Sequence, residues 1–302
     1  MTPFPDFAEI RPLIDIARRE DLGPALDDCT SRLCIGEDVV GVGTLYQKAV
    51  GIACGLPLVE HVCRIYDERI RVELIPGFHM DVIEGRFSDQ RQTPLLRLRG
   101  PLRSLLAAER VVLNFIQRCG GVATATQAYV RRVEGTRAKV YDTRKTLPGF
   151  RALDKYAVRV GGGENHRVGL FDMMLVKDNH LAGIPVRGLA DRLSAIVAAS
   201  RSEAPRRAVE VEVDSLEQLR EVLKVEGIDV VLLDNMDCPT MTRAVAMRDE
   251  SPRRGALQLE ASGGVTLETI RSIAQTGVDR VSVGAITHSV KALDISLDIE
   301  RQ

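Results

Sequence analysis

From residue 138 onward, short runs rich in valine and leucine alternate with amphipathic stretches, and few folds satisfy that rhythm. AKVYDT, MMLVKDN, AVEVEVD, IDVVLLDN, LQLEASGG and VDRVSVGA read as about six strands. RALDKYAVRVGG, GLADRLSAIVAAS, SLEQLREVLK, TMTRAVAMRD and TLETIRSIAQTG read as the helices between them. Several of the strands are nearly continuous in apolar character, as parallel strands covered on both faces are. A (β/α) barrel and a doubly wound open sheet both have this alternation. No GxGxxG turn follows a strand and no GxxxxGK[ST] loop is present, which removes support from nucleotide folds of those two kinds.

The first 115 residues lack the alternation. DFAEIRPLIDIARRED predicts a helix with Ile10, Leu13, Ile14 and Ala17 on one face, and VGTLYQKAV, RIRVELI and TPLLRLRG predict strands. Cys54-Gly55-Leu56-Pro57 reads as a turn and nothing more. From Pro101 a helical pattern runs through LRSLLAAERVVLNFIQRC to Gly120-Gly121, and a second helical stretch continues to about Val133. With 302 residues the chain exceeds one average domain, so a boundary near residue 115 separates a mixed α/β part from the alternating part.

Composition bounds the partners. A formal net charge of −1 leaves no broadly basic surface for nucleic acid, so local cationic clusters need local explanations. The six cysteines form no CxxC pair and no zinc spacing with histidine, and read as reduced thiols. The start, MTPFPDFAEI, has no basic segment leading into an apolar one, and no apolar run reaches the ~18 residues of a membrane span. A soluble cytoplasmic protein is expected.

Each strand of the second part closes on charge or glycine. Asp142-Thr143-Arg144-Lys145-Thr146 follows the first and Lys177-Asp178-Asn179-His180 the second, while Glu212 and Asp234 lie late on the third and fourth. Ser262-Gly263-Gly264 and Val283-Gly284-Ala285 end the last two. In a (β/α) barrel such strand ends converge on one face, where active sites lie. Adjacent Arg144 and Lys145 offer a bidentate fork beside a point charge, a combination for carboxylate and phosphate together. Gly161-Gly162-Gly163-Glu164-Asn165-His166-Arg167 adds donors after a glycine run, although helix termination explains the glycines equally well. Lys177 at a barrel mouth is costly to desolvate unless an anion meets it. Glu210, Glu212 and Asp214 alternate with valines and so share a face, and those turned inward need a cation or a metal. Few oxygen ligands completed by phosphates suit Mg2+ at Glu212 and Asp234, a structural salt bridge being the plain alternative. The loops after the last two strands match a recurring phosphate site of such barrels. The whole reads as the pocket of an enzyme acting on a polyanion.

With these residues in place, the chain resembles the quinolinate phosphoribosyltransferases. LNFIQRCGGVATAT, DTRKTLPGFRALDKYAVRVGGGENHRVGLFDMMLVKDNH, VEVEVDSLEQL, VVLLDN, LEASGGV and VSVGAITHSVKALDISLDI carry the likeness, in order, from about residue 105 onward. The resemblance implies an α/β fold: an open (β/α) TIM-like barrel (residues 116–286) with a smaller N-terminal α/β sandwich domain (1–115), rejoined by 287–302. It implies phosphoribosyl transfer from phosphoribosyl pyrophosphate to quinolinate with decarboxylation, giving nicotinate mononucleotide, pyrophosphate and CO2. Carried over, Arg144, His166, Arg167 and Lys177 hold the two carboxylates, with Thr143 in the same segment, and Lys145 lies near the reacting centre. Glu212 and Asp234 face the ribose and Mg2+. Ser262, Gly263, Gly264, Val283, Gly284 and Ala285 take the 5′-phosphate. The family also implies a homodimer, or a higher oligomer, in which Arg110 reaches the neighbouring subunit's site. Two rivals are a paralogue acting on another acceptor and a non-catalytic phosphometabolite-binding barrel. The complete DTRKT and NHR segments count against the first, and the presence of Glu212, Asp234 and every basic strand end against the second.

Overall fold

The computed structural model describes residues 2–76 and 79–301. Its elements begin with α1 (Phe7–Leu22), α2 (Cys29–Cys34), β1 (Val40–Gln47), β2 (Gly51–Ile52), α3 (Pro57–Tyr66) and β3 (Arg71–Leu74). Then come α4 (Met80–Ile83), β4 (Phe87–Ser88), β5 (Thr93–Pro101), α5 (Leu102–Val133), β6 (Lys139–Tyr141) and α6 (Arg151–Val160). The alternating part continues with β7 (Met173–Val176), α7 (Leu189–Glu203), β8 (Ala208–Val213), α8 (Leu216–Val222), β9 (Val230–Asp234) and α9 (Cys238–Glu250). It closes with β10 (Gln258–Ser262), α10 (Ile270–Gln275), β11 (Arg280–Ser282), α11 (Ala285–His288) and β12 (Ile295–Arg301). Contacts divide the chain into one unit of Met1–Gln127, Thr146–Gly162 and Ile286–Gln302, and a second of Ala128–Lys145 and Gly163–Ala285. The division falls between Gln127 and Ala128, later in α5 than residue 115, and α6 lies in the first unit.

The first unit is built on an antiparallel sheet of order β12-β1-β5-β3. Along β1 the burial alternates residue by residue, the mark of a strand with one covered face. Asp6 caps α1 by accepting the Ala8 N–H at 2.9 Å, and Ile10 and Ile14 are the residues of its predicted face that become buried. The Cys54–Pro57 turn has a further role that its sequence hid. The Glu84 carboxylate accepts the N–H groups of Gly55 (2.7 Å) and Leu56 (2.9 Å) at the mouth of α3, and the Tyr156 hydroxyl at 2.7 Å. Burial pushes the Glu84 pKa above the usual carboxylate range.

Helix α5 corrects the sequence reading, since its 32 residues run unbroken through Gly120-Gly121. Those glycines serve close approach instead of termination: a Cβ on Gly121 would lie 2.4 Å from the Lys291 carbonyl oxygen. Arg118 on α5 holds α6 through both Asp154 oxygens, at 3.0 and 2.9 Å, and Asp154 is fully buried. That bidentate pair is one reason α6 belongs to the first unit. All six cysteines are free thiols.

The second unit is the parallel sheet expected, with all six strands where the apolar runs lie and in the order β6-β11-β10-β9-β8-β7. From β7 to β11 each strand pairs with the next, as a barrel requires, and β6 flanks β11. Among the described residues no ladder joins β6 to β7, so the barrel is open there. The free side of β6 is met by Glu164, whose N–H donates to Val140 O (2.8 Å) and whose carbonyl accepts the Asp142 N–H (3.0 Å).

The strand starts carry a repeated clamp. Gly227-Ile228-Asp229 precedes β9 and Gly277-Val278-Asp279 precedes β11. Asp229 accepts the Val209 N–H at 2.8 Å and pairs with Arg201 of α7 at 2.9 Å. Asp279 accepts the Leu259 N–H at 2.8 Å and pairs with Arg248 of α9 at 2.5 Å.

Candidate active site

The parallel register brings the strand ends together. Ser262 is level with Asp234, Ala261 with Val281, and Ser282 with Tyr141, so the loops that follow leave from one edge of the sheet. The candidates in the second unit lie on these loops or late on the strands, except His166 and Arg167, which lie on the connection between α6 and β7.

At the β6 end, Asp142 is fully buried and its Oδ1 accepts the His166 N–H at 2.7 Å. Together with the Glu164 bridge this zips the Glu164–His166 segment to the end of β6. The consequence is a pair of like charges. Burial, and then the neighbouring Arg144 cation, hold the Arg167 guanidinium below its ordinary pKa. Like charge near a partly buried guanidinium favours the approach of an anion. Lys145 is exposed beside them, its N–H donating to the Thr143 hydroxyl at 3.1 Å.

Lys177, after β7, is half-buried and its Nζ lies 2.6 Å from Glu212 Oε2 on β8. Its own N–H donates to His180 Nδ1 at 2.8 Å, which fixes the turn that carries it. Asp234 ends β9, where Asn235 Nδ2 donates to its Oδ2 at 2.9 Å. Asn235 itself has φ +52°, and its N–H donates to Ser262 O at 2.9 Å. Gly263 follows with φ +101°, and a Cβ there would fall 2.0 Å from Asn235 Oδ1. Only glycine satisfies both the backbone and the space at that position. Gly264 next to it faces open space, and Val283, which is buried, donates its N–H to Tyr141 O at 2.9 Å. Gly284 and Ala285 continue that turn into α11.

Glu212 and Asp234 line a cavity of about 140 Å3, and Asp178 and Asp214 line it too. These four carboxylates line one cavity without converging on a point, and Glu212 is engaged by Lys177, so a hard divalent cation such as Mg2+ there would take most of its oxygens from water and substrate.

His166 differs from expectation. Its Nε2 lies 3.0 Å from Glu210 and 3.3 Å from Glu260, both fully buried, and its Nδ1 accepts the Arg167 N–H at 2.8 Å. Both ring nitrogens thus face protein groups in this structure. Burial opposes a charged ring, while the two carboxylates favour one. The Arg167 amide, however, needs an unprotonated Nδ1, since two N–H groups cannot meet head-on at 2.8 Å. Burial also pushes the Glu210 pKa above the usual carboxylate range.

Sequence reasoning put Glu210 on one face with Glu212 and Asp214 without finding its partner, gave Asp178 and Asn235 no role within their motifs, and missed Glu260. A lone acid inside the apolar run LQLEA was the available signal for Glu260. Arg110 lies in the first unit, exposed on α5.

The chain matches the family model described as "Quinolinate phosphoribosyl transferase, C-terminal domain" over residues 122–298, and the corresponding N-terminal domain over 28–120. It is 43% identical over 295 residues to the nicotinate-nucleotide pyrophosphorylase [carboxylating] of Mycobacterium leprae (strain TN), covering 97% of this chain and 98% of that protein. With the probable enzyme of that name from Bacillus subtilis (strain 168) it shares 36% identity over 96% of this chain and 93% of the other. The crystal structure of NadC from Streptococcus pyogenes superposes with a TM-score of 0.87 at 33% identity, covering 100% of both chains. That of the nicotinate-nucleotide pyrophosphorylase from Francisella tularensis gives 0.85 at 35% identity, covering 99% of this chain and 98% of that one. Full-length similarity to both domains, on an open parallel barrel with its charged groups at the strand ends, means that the chain belongs to the quinolinate phosphoribosyltransferase family.

Proposed function

We propose that this chain is a cytoplasmic enzyme that joins quinolinate to phosphoribosyl pyrophosphate and decarboxylates the product, in the biosynthesis of NAD. The observation that carries the reading is the paired cationic loops of Arg144 and Arg167 on one edge of the sheet, with Glu212 and Asp234 on the strands across it. A pyridine dicarboxylate needs the first and a sugar phosphate the second.

In this reading Arg144 and Arg167, with Lys177 and the Thr143 segment, hold the two carboxylates and aim the ring nitrogen. Orientation of this kind replaces the entropy otherwise lost in the transition state. The nitrogen's lone pair attacks the anomeric carbon as the bond to pyrophosphate breaks, through a state with positive charge on the sugar. Glu212 and Asp234, beside the ribose, stabilise that charge. The loops Ser262–Gly264 and Val283–Ala285 receive the 5′-phosphate through backbone N–H groups. Glu212 and Asp234, with the substrate's phosphates, would hold Mg2+, which would supply charge neutralisation for the leaving pyrophosphate. Lys145, exposed beside Arg144, is placed to act on the same groups. Once the ring nitrogen is quaternary, the C2–carboxylate bond breaks, its electron pair stays on C2 next to the positive nitrogen, and a proton replaces CO2. The Lys177–Glu212 contact of 2.6 Å bridges the two halves of the site.

Arg110 completes the site of a second copy, so the enzyme works as a homodimer. Release of labelled CO2 from carboxyl-labelled quinolinate, dependent on phosphoribosyl pyrophosphate and Mg2+, tests the activity. Turnover of nicotinate alone would reject it. Arg110→Ala and Arg144→Ala, each inactive, are expected to recover about a quarter of wild-type activity on mixing, because half the dimers then hold one intact site. Full subunit exchange without recovery would reject sharing.

A further inference from the structure

Three groups at the centre of the second unit have no place in that mechanism. Glu210 and Glu260 are fully buried on β8 and β10. Inward side chains of alternate barrel strands share a layer, and His166 meets these two at 3.0 and 3.3 Å. Arg280 adds a more distant charge, 3.9 Å from Glu260. Carboxylates this deep are strongly unfavourable unless something compensates them.

One compensation would be a metal, since histidine and two glutamates converge there. The hydrogen bonding argues otherwise. Nδ1 is already the acceptor of the Arg167 N–H, so the proton sits on Nε2, the nitrogen that faces both carboxylates. A protonated nitrogen has no lone pair for a metal.

What the carboxylates do reach is the far edge of a ring that is fixed on two other sides. The His166 main chain donates to Asp142, and the ring's Nδ1 holds the Arg167 amide. The close electrostatic contacts of Nε2 with the two carboxylates, at 3.0 and 3.3 Å and without an aligned hydrogen bond, restrain the last edge of the imidazole and with it the peptide that carries Arg167. Glu210 also lies close enough to offset part of the repulsion between Arg167 and Arg144.

We propose that Glu210 and Glu260 are positioning residues for the acceptor: acting through His166, they aim the Arg167 guanidinium beside Arg144 and so set the affinity for the dicarboxylate without touching it. The inference rests on the function proposed above.

The test is a separate KM for each substrate in wild type, Glu210→Gln, Glu260→Gln, His166→Ala and the Glu260→Gln/His166→Ala double variant. A misaimed charge-assisted contact is expected to raise the quinolinate KM about ten-fold or more in each glutamate variant, with the phosphoribosyl pyrophosphate KM within about three-fold of wild type. In the His166→Ala background, Glu260→Gln is expected to add nothing, because its effect passes through the missing ring. Equal rises for both substrates, no rise at all, or full additivity with His166→Ala would overturn the inference. Should the glutamine variants fail to fold, Glu210→Asp and Glu260→Asp keep the charge, shorten the reach and must give the same split. A wild type without quinolinate turnover would instead reject the function. Calorimetric binding of quinolinate, wild type against Glu260→Gln, would then still decide the positioning role.

Discussion

Asp279→Ala removes the centre of the more deeply buried of the two strand-start clamps. The Arg248 side chain is only 2% exposed, and its contacts are Asp279 at 2.5 Å, Asp249 at 2.7 Å and, weakly, the Leu257 carbonyl at 3.5 Å. Loss of Asp279 leaves the buried guanidinium with Asp249 and the weak Leu257 contact, releases the more exposed Arg137 partner, and strips the Leu259 N–H of its acceptor. Breaking a buried pair costs about 3–5 kcal/mol, and an orphaned buried N–H about 1–3 kcal/mol. Asp249 retains part of the charge balance and the two losses share one residue, so about 3–4 kcal/mol is expected in total. For a chain of this size that is a fall in Tm of roughly 5–10 °C. Asp229→Ala is the internal control, because its side chain and that of Arg201 are 44% and 31% exposed. Exposed pairs are worth about 0–1 kcal/mol, so most of its loss is the Val209 hydrogen bond, about 1–2 kcal/mol. Urea melts and scanning calorimetry of both variants read the difference. Both residues precede their strands, at the end opposite the candidate site, and kcat at 25 °C should stay near wild type. Equal destabilisation by the two variants, or a stable Asp279→Ala protein with a lost kcat, would refute the assignment of this edge to stability.

Lys177→Met is expected to abolish turnover while Tm changes by only a few degrees, measured by CO2 release and calorimetry; near-normal turnover would remove Lys177 from the pocket. Gly121→Ala forces a Cβ against the Lys291 carbonyl and should cost about 1–3 kcal/mol in urea unfolding, although alanine is the better helix former. A stabilised variant would contradict the close approach. Asp67, bonded first by Arg69 and then by Ser104, is held well below its ordinary carboxylate pKa of 3.8. A depressed pKa contributes stability that is present above the unfolded value and lost as pH falls through the folded one. The stability gap between wild type and Asp67→Asn should therefore be constant from pH 7 to about 5 and close below about pH 4.

The strands and their ends were legible because a doubly covered strand leaves an unbroken apolar run and its loop begins where the run stops. VVLLD and QLEAS needed no tertiary information. Gly120-Gly121 misled for a physical reason: helix propensity counts glycine as a break, whereas here the packing against Lys291 demands it. His166 stood in a donor-rich segment and was assigned to the ligand. Which way its ring turns depends on Glu210 and Glu260, 44 and 94 positions later, and no local pattern encodes that contact. The role of the Cys54–Pro57 turn depended in the same way on a distant acid, Glu84.

The seating of Asn235 against Gly263 bears on engineering. Swapping surface segments between related barrels is a common route to new specificity, and it assumes that each segment is a separable module. Here a donor segment carrying any side chain at position 263 would collide with the amide of Asn235, and a donor lacking Asn235 would leave the glycine conformation unsupported. These two segments must be transplanted together.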